Sequence, residues 1–449
     1  MNSIIIKKIL EDCISLVLKR GAKGAECICT QGNIRTFRIV EDNLESSRMS
    51  SLVGLGIRIL DAENRQGAAR LSEITKNAAA ELCEAAFNSA LHNAPEEDVE
   101  FTNISPSDVS TDLGLYDPGI IKWAAADQVS LCKEMSSLAH LADRRVRNVR
   151  KATAASSCAV CWSLNSNGVS HYSQTTLGSL GLTLLAKDGE SVEIGGAQSV
   201  ARSVERICAQ LPVEEAVSNA VRLLHGKPLS TGIYRIVLEP SVTVAFLAAI
   251  SDLFSAVEVY KGLSLLKDKI GNRIGSECLT LIDDGRIYGG IGTSFCDDEL
   301  VPTQRTVLVE DGILRSWLCN LQYGKRLGLE STGNGSCGVG SLPDVDISNF
   351  YIKPGVRSPE QIIAANDGCF CISELMGLHT IDSVSGNFSL AARGQLYKNG
   401  TFRPVSSVTI AGNLADFLDK IVEVGSDLRF FGRLGGCTMV VDEIAVSGS

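Results

Sequence analysis

The sequence has few of the residues that most often hold a catalytic metal ion. It contains 5 histidines, and even the closest pair, His140 and His171, is too widely spaced for the HExxH, HExxxH or HxH patterns that bring imidazoles to one zinc ion. A Walker A motif and a G-x-S-x-G nucleophile elbow are also missing from the sequence. From local patterns we therefore predict no catalytic and no metal-binding residue in this chain, although distant residues could still meet in the fold.

Long apolar runs are missing as well. No stretch of about 18 uncharged apolar residues occurs, so we expect no membrane-spanning helix. The apolar residues 4–6 are followed at once by Lys7 and Lys8, a pattern that does not match a signal peptide. The net charge of −10 offers no basic surface to nucleic acid. We therefore predict a cytoplasmic protein with neither a membrane nor a nucleic acid as its partner.

Cysteine, in contrast, is plentiful, but its pattern does not indicate disulfides. The 15 cysteines are odd in number, and without an export signal their thiols are expected to stay reduced. The one CxxC pair, Cys158 and Cys161, lies in a segment whose composition predicts a β-strand, where residues three apart point to opposite faces. We interpret both as buried structural thiols rather than as a redox site.

Length and turn signals predict an α+β protein of two domains. A chain of 449 residues exceeds what one hydrophobic core usually holds. The stretch GKPLSTG at 226–232 is typical of a linker, so we expect an N-terminal α/β-mixed domain at 1–225 and a second domain at 226–449. Asp311-Gly312 and Asn399-Gly400 are strong hairpin signals. They predict that the second domain is largely antiparallel β-structure with packed helices.

An apolar helix is predicted near the middle of the chain. FLAAISDLFSAV at 246–257 repeats apolar residues at helical spacing, and Ser241, directly after Pro240, is a plausible N-cap. The other face of this predicted helix carries small residues, and Asp252 is its only charge. The pattern indicates packing rather than catalysis.

Two further helices are predicted from apolar stripes. One covers about 118–141. The other begins after Asn413, a residue that can cap a helix, and is expected to run until Gly425 ends it.

Two polar segments of the second half are candidates for binding. CDDEL at 296–300 gathers Asp297, Asp298 and Glu299, which could bind a cation or a basic substrate, although an exposed acidic turn is the commoner outcome. GNGSCG at 333–338 has the form GxGxxG, but no helix pattern follows it, so it does not predict a dinucleotide site. We interpret it as a flexible or peptide-facing loop.

Several long segments, taken in order, resemble the TldD/PmbA family, the so-called modulators of DNA gyrase. SSVTIAGNLADFLDKIVEVGSD is similar to the C-terminal signature of the family, and FCDDELVPTQRTVLVEDGILRSWL with the later STGNG is similar to its acidic turn and hairpin. ISELMG with SVSGNFSLAARGQLYKNG resembles the next block, and GLGIRILDAENRQGAA matches an N-terminal pattern more loosely. The resemblance covers essentially the whole chain. One departure is Leu300, where the family pattern has glycine.

The resemblance implies which type of subunit this chain is. In the family, TldD subunits carry HExxxH on a helix, and a later cysteine completes a zinc site, whereas the PmbA/TldE type lacks the zinc motif. The corresponding window here falls at 248–253, where Ala248, Ala249 and Leu253 offer no zinc donor. Cys437 lies near the position of the zinc-binding cysteine, without histidine co-ligands. The chain thus resembles the PmbA/TldE type, which implies no cofactor of its own and zinc only in a TldD-like partner.

The resemblance also implies a function and a set of site residues. It predicts a non-catalytic subunit of a TldD/TldE-type zinc metallopeptidase that processes unfolded peptides, as a heterodimer with a TldD-like subunit or as a homodimer. The residues expected to line the peptide chamber are Asp297, Asp298, Glu299, Asn334, Gly335 and Asn413. Two alternatives stay open: a stand-alone hydrolase whose site is built from scattered residues, and a binding protein that interacts with gyrase.

Overall fold

The computed structural model describes residues 3–106, 112–382 and 384–448. The first half of the chain contributes the strands β1 (Gly24–Val40), β2 (Asn43–Leu60), β3 (Gln66–Leu71), β4 (Val146–Asn165), β5 (Ser170–Asp188) and β6 (Ser191–Ala201). They form one 6-stranded antiparallel sheet in the order β3-β2-β1-β4-β5-β6. The turns after β4 and β5 contain Gly168 (φ +85) and Gly189 (φ +57), left-handed conformations that favour glycine.

Helices pack on this sheet in two groups. They are α1 (Ser3–Lys19), α2 (Ala78–Ala90), α3 (Pro118–Lys122), α4 (Ala125–Ala142) and α5 (Gln210–Val221). α1 and α2 bury one end of the sheet, and the other three helices bury the opposite end around a separate apolar cluster. Cys158 and Cys161 do lie in β4, but both are partly exposed rather than buried. The reason is that the middle of the long strands lies between the two helix-covered ends and remains partly open to solvent.

The helix predicted at 118–141 is in fact two helices. Trp123 leaves the helical conformation (φ −59, ψ 105), so α3 ends before it and α4 begins after it. Its indole is buried in the core under α4, and its carbonyl oxygen accepts hydrogen bonds from Arg35 and Gln128. Tertiary packing of this one residue overrides the helical pattern of the flanking sequence.

The second half of the chain contains two more sheets and a short hairpin. Its strands are β7 (Gly232–Leu238), β8 (Leu281–Asp284), β9 (Arg305–Glu310), β10 (Ile313–Leu314), β11 (Gly335–Ser336), β12 (Asp344–Val345), β13 (Phe350–Ile352), β14 (Phe370–Met376), β15 (Asn387–Lys398), β16 (Thr401–Asn413), β17 (Ile421–Val424), β18 (Arg429–Phe431), β19 (Leu434–Gly436) and β20 (Met439–Ser447). One sheet has the order β10-β9-β8-β13-β19-β18, and another has the order β16-β15-β14-β7-β20-β17. Because β16 also pairs with β20, the latter sheet closes on itself.

Most strand pairs in this half are antiparallel; β7–β14 and β13–β19 are parallel. The two predicted hairpins are present, since Asp311-Gly312 joins β9 to β10 and Asn399-Gly400 joins β15 to β16. All four turn residues have positive φ, as a type I′ turn requires. The chain is therefore an α+β protein with a β-rich second half, as the sequence predicts.

The helices of the second half are short. They are α6 (Pro240–Ile250), α7 (Ala256–Lys261), α8 (Leu321–Arg326), α9 (Pro359–Ala365) and α10 (Leu414–Asp419). The single helix predicted at 246–257 is wrong, because α6 ends at Ile250, a 3-10 turn follows at Ser251–Phe254, and Ser255 caps α7 through the amide of Val257. The predicted N-cap is also wrong. Glu239 occupies that position, which lets Pro240 take the first helical turn, where its missing N–H costs nothing.

Asn413 does cap α10, since its side chain accepts a hydrogen bond from the amide of Ala415. The helix ends at Asp419 instead of Gly425, because residues 421–424 pair with β20 as β17. The apolar pattern there serves a strand rather than a further helical turn. α6, α10 and the closed sheet share one large apolar core. Within the described ranges, no helix is both long and apolar enough to cross a membrane.

Candidate functional site

The surface of α6 forms one wall of an open cavity of about 550 Å³. Ala248 and Ala249 line it, together with Leu253 from the 3-10 turn. Asp252 lies at its exposed rim, and burial together with the carboxylates of Asp346 and Asp344 raises the pKa of the Asp252 carboxyl group. The remaining lining residues from other elements are Glu258, Leu263, Leu378, His379 and Ile381.

The path of the backbone explains why α6 presents only small side chains to this cavity. The large side chains of α6 point inward, and the ring of Phe246 lies 4.4 Å from that of Phe417, measured between centroids. Because α6 stops at Ile250, positions 248 and 253 do not belong to one continuous helix. Leu253 is buried whereas Ala248 is exposed, so the two side chains do not converge on a common point at the surface.

The donor chemistry of this surface does not fit a zinc ion. Zinc requires cysteine, histidine or carboxylate ligands at close range, and the three positions of the motif carry only alkyl groups. In the described part of the chain, no group of three or more histidine, cysteine, aspartate or glutamate residues could hold a metal ion. Cys437 is fully buried, its thiol donates weakly to the carbonyl of Ile352, and burial raises its pKa to about 12.

The first carboxylate of the acidic turn, Asp297, holds the local backbone in place. Asp297 accepts hydrogen bonds from the amides of Glu299 and Val301 through one oxygen and from the amide of Gly335 through the other. Burial and the neighbouring Glu299 carboxylate raise the pKa of Asp297. Asp298 is exposed and accepts a hydrogen bond from the amide of Cys337. The expected exposed acidic turn is thus found only at Asp298.

Glu299 joins the two halves of the molecule. It is 1% exposed, and one oxygen accepts a hydrogen bond from Nη1 of Arg58 at 3.1 Å while the other accepts from the amide of Leu321 at 2.8 Å. Arg58 lies on β2, and its second guanidinium nitrogen is 3.7 Å from Glu26 on β1. Burial raises the pKa of Glu26 to about 7, although Arg58 opposes that shift. A charged cluster therefore lies buried between the first sheet and the acidic turn.

Asn334 and Gly335 belong to the same buried junction. Asn334 donates to Asp283 at 2.9 Å and to the carbonyl of Asp346 at 3.0 Å. Burial raises the pKa of Asp283 to about 6. A side chain at Gly335 would place its Cβ 2.8 Å from Oε2 of Glu299, so only glycine fits. The Gly-rich segment is hence tightly packed on the acidic turn, not a free loop.

The structure brings most of the predicted lining residues together but leaves their role untested. Asp297, Asp298, Glu299, Asn334 and Gly335 meet at the junction described above, whereas Asn413 caps α10 elsewhere. That these residues line a peptide chamber stays a prediction. Leu300, the departure from the family pattern, has φ +62 and is buried beside Val169 and Cys296, which shows why glycine would suit the position.

Sequence reasoning missed Glu26, Arg58 and Asp283. The available signal was a charge inside an otherwise apolar strand, as in ECIC around Glu26 and GIRIL around Arg58. A charge in such a context is seldom buried unless it is paired.

Comparison with known proteins agrees with this architecture. The fold is similar to a crystal structure from Thermotoga maritima described as a modulator of a DNA gyrase, with a TM-score of 0.88 and 24% identity over 98% of this chain and 100% of that one. It is also similar to TldE from Thermococcus kodakarensis, with a TM-score of 0.85 and 22% identity over 98% of this chain and 100% of that one. A β-rich half with a central short helix, joined to a long-stranded sheet, is thus the fold that this chain shares with both structures.

Sequence comparison narrows the class to a family. The model of the PmbA/TldA metallopeptidase central domain matches residues 120–224, and that of the C-terminal domain matches residues 231–448. Metalloprotease PmbA of Escherichia coli O157:H7 is 26% identical over 98% of this chain and 97% of its own length. A metalloprotease of Methanothermobacter thermautotrophicus is 33% identical over 62% of this chain and 63% of its own. The chain belongs to the TldD/PmbA family.

Proposed function

We propose that the chain is a non-catalytic PmbA/TldE-like subunit of a TldD/TldE-type zinc metallopeptidase complex that processes unfolded peptides. The observation that carries this proposal is the surface of α6. Ala248, Ala249 and Leu253 occupy the window of the metal motif, and none of them can bind zinc or act as a general base. The zinc ion of the complex would belong to the partner alone.

The proposal includes an organisation and a partner. The chain would consist of two domains, 1–225 and 226–449, and would act in the cytoplasm. Its partner would be a TldD-like subunit in a heterodimer, or a second copy of this chain in a homodimer. The similarity of this chain both to metalloprotease PmbA and to TldD homologues supports a family in which the two subunit types share one fold.

The decisive experiment compares three samples in one peptidase assay. This chain alone, a TldD-like subunit alone and the co-expressed pair are given a fluorogenic unfolded peptide. We expect the pair to co-purify and to cleave the peptide, and we expect this chain alone to be inactive. Bound zinc is measured by elemental analysis of each sample, and we expect it only where the TldD-like subunit is present.

Two outcomes would overturn the proposal. Stoichiometric zinc in the isolated chain, or peptide cleavage by it without a partner, would favour the stand-alone hydrolase. Failure to co-purify with a TldD-like subunit would remove the reason for the subunit role. A gel shift or an effect on gyrase supercoiling at moderate salt would favour the binding protein instead.

The lining role of the acidic turn is tested within the same assay. Asp298→Asn keeps the shape of the side chain and removes the one exposed charge of the turn. If Asp298 faces the peptide chamber, the pair containing this variant should cleave a basic peptide several-fold more slowly, with little change for a neutral peptide. Glu277→Gln is the matched control, because its side chain is 83% exposed outside the acidic turn. Equal rates for both variants would exclude that role.

A further inference from the structure

The outer edge of β6 borders a groove that is separate from the cavity at Ala248 and Ala249. β6 is the last strand of the first sheet and pairs only with β5 within the described residues. Opposite it lies β18, the edge strand of another sheet. Two adjoining cavities of about 610 and 620 Å³ lie between these strands. Both are lined by Gln198 and Val200 of β6 and by Arg429 and Phe431 of β18.

The backbone of β6 offers hydrogen-bonding groups to this groove. In an antiparallel strand the N–H and C=O of one residue point to the same side, and successive residues alternate. The carbonyl of Gly196 accepts a hydrogen bond from Nδ2 of Asn219 on α5, at 3.1 Å, so it points away from β5. Gln198 and Val200 have the same parity as Gly196 and line the groove. Outside the β5–β6 ladder, no described residue of β6 makes a hydrogen bond to another backbone group.

Aromatic side chains border the first cavity. Tyr116, Tyr288 and Phe430 line it and are 41%, 59% and 37% exposed. Rings in this position can pack against the side chains of an inserted segment. Arg429, which pairs with Glu215 on α5, lies between the two cavities and lines both. An open sheet edge facing a second edge across a cleft is the geometry that accepts one more strand, and soluble proteins usually protect such edges.

We propose that this groove binds an extended peptide segment by strand addition to β6. The segment would pair with the outward groups of Gln198 and Val200 and with the N–H of Gly196, whose carbonyl already accepts from Asn219. Backbone hydrogen bonds would supply the affinity, so the groove would accept many sequences in an unfolded state and would exclude folded proteins. The proposal rests on the proposed function, because the occupant is the unfolded peptide of that complex. It adds a binding place on this chain that is distinct from the cavity at Ala248 and Ala249, although Pro240 and Ser241 at the start of α6 reach the groove.

The first test uses the unaltered chain and two peptides. A fluorescein-labelled, unstructured Ser/Thr/Val peptide of about eight residues, the length of a long strand, is titrated by fluorescence anisotropy. Its counterpart carries N-methyl groups on alternate residues, which remove the N–H donors of one edge, and a third peptide carries them on the other alternate residues. We expect at least one N-methylated peptide to bind about tenfold more weakly, as the loss of several hydrogen bonds requires. Equal affinity of all three peptides would overturn the proposal.

The second test uses matched proline variants of β6. Gln198→Pro removes an outward N–H inside the groove, and Val192→Pro makes the same backbone change at the same parity outside it. We expect Gln198→Pro to weaken binding of the unmethylated peptide about 3- to 10-fold and Val192→Pro to leave it unchanged. Equal effects of the two variants would overturn the proposal. If circular dichroism shows that Gln198→Pro does not fold, the proposal is tested by the binding of the N-methylated peptides to the unaltered chain.

Failure of this inference is distinguishable from failure of the subunit role. Co-purification with a TldD-like subunit is measured for both proline variants. If the partner binds but the peptide tests fail, the groove is excluded and the subunit role stands. If the peptide tests succeed but no partner binds, the subunit role is excluded.

Discussion

The acidic turn at 297–299 differs from the surface at 248–253, which is formed by the end of α6 and the 3-10 turn after it, in how many polar side chains it carries and what they bind. In the turn, the carboxylates of Asp297 and Glu299 accept hydrogen bonds from backbone amides and from Arg58. Near the end of α6, Ala248 and Ala249 line the cavity without a polar side chain, and Asp252 of the following 3-10 turn has no side-chain hydrogen bond or ion pair with any described residue. The comparison teaches that a conspicuous cluster of carboxylates can be structural, while the positions that we propose to correspond to a metal motif carry no reactive group.

The largest change in the free energy of unfolding is expected for Glu299→Ala. The substitution leaves the buried Arg58 without its closest partner and the amide of Leu321 without an acceptor. We expect the free energy of unfolding to fall by about 3–5 kcal/mol, measured by urea denaturation. Glu277→Ala, an exposed glutamate, should change it by less than about 0.5 kcal/mol. Similar values for the two variants would mean that the buried cluster is not structural.

The next largest effect concerns pH. The pKa of Glu26 is raised from 4.5 to about 7 in the folded protein, chiefly by burial. A carboxyl group with a raised folded pKa contributes stability that is complete below pH 4.5 and is lost as the pH rises through 7. Glu26→Gln cannot ionise, so at pH 8 it should be more stable than the natural protein by about 3 kcal/mol, with little difference near pH 4.5.

Urea denaturation at several pH values measures this difference. The exposed Glu45→Gln serves as the control and should follow the natural protein at every pH, because Glu45 is about half exposed. Asp283, whose pKa is raised to about 6, titrates in all three proteins and so cancels from the comparison. Parallel pH profiles for Glu26→Gln and the natural protein would contradict the prediction.

A smaller effect is expected at Gly335. In Gly335→Ala the new Cβ would lie 2.8 Å from the Glu299 carboxylate and 2.9 Å from that of Asp297, which forces the turn to shift. We expect a loss of about 1–2 kcal/mol in the free energy of unfolding. Gly32→Ala is the control, because the nearest atom to its Cβ would be at 3.5 Å. A harmless Gly335→Ala would show that the loop is free to move, as the sequence alone suggests.

The smallest effect should come from α6. Ala248→Leu adds an alkyl group to an exposed position in the cavity wall and should change the free energy of unfolding by less than about 0.5 kcal/mol. Leu253→Ala, five positions along at a buried site, should cost about 2–4 kcal/mol. Thermal or urea unfolding of the two variants checks both values. A large loss for Ala248→Leu would mean that the surface of α6 is packed rather than open.

Local signals predicted much of the fold. The turns at Asp311-Gly312 and Asn399-Gly400 appear where the sequence indicates them, because their backbone demands are local. Asn413 caps its helix for the same reason. The predictions of single helices at 118–141 and 246–257 were wrong. The buried Trp123 interrupts the first helix, and a 3-10 turn ends the second one early.

The candidate site was less predictable, because its partners are far apart in sequence. The acidic residues were recognised, but nothing near them indicates that Arg58 of another sheet supplies the opposing charge or that it also lies beside Glu26. The alanines of α6 carry no local signal, and only the resemblance to the family drew attention to them. The groove at β6 depends on which strand lies at the edge of its sheet, a property of the topology that no single segment reveals.

The ion pair between Arg58 and Glu299 also has a consequence for biosynthesis. The two residues are 241 positions apart, so at ordinary translation rates Glu299 leaves the ribosome roughly 10–50 seconds after Arg58. During that interval β1 and β2 present Glu26 and Arg58 to water without their final partner. The early sheet therefore keeps a hydrated, charged patch where a purely aliphatic one would invite misassembly with neighbouring nascent chains.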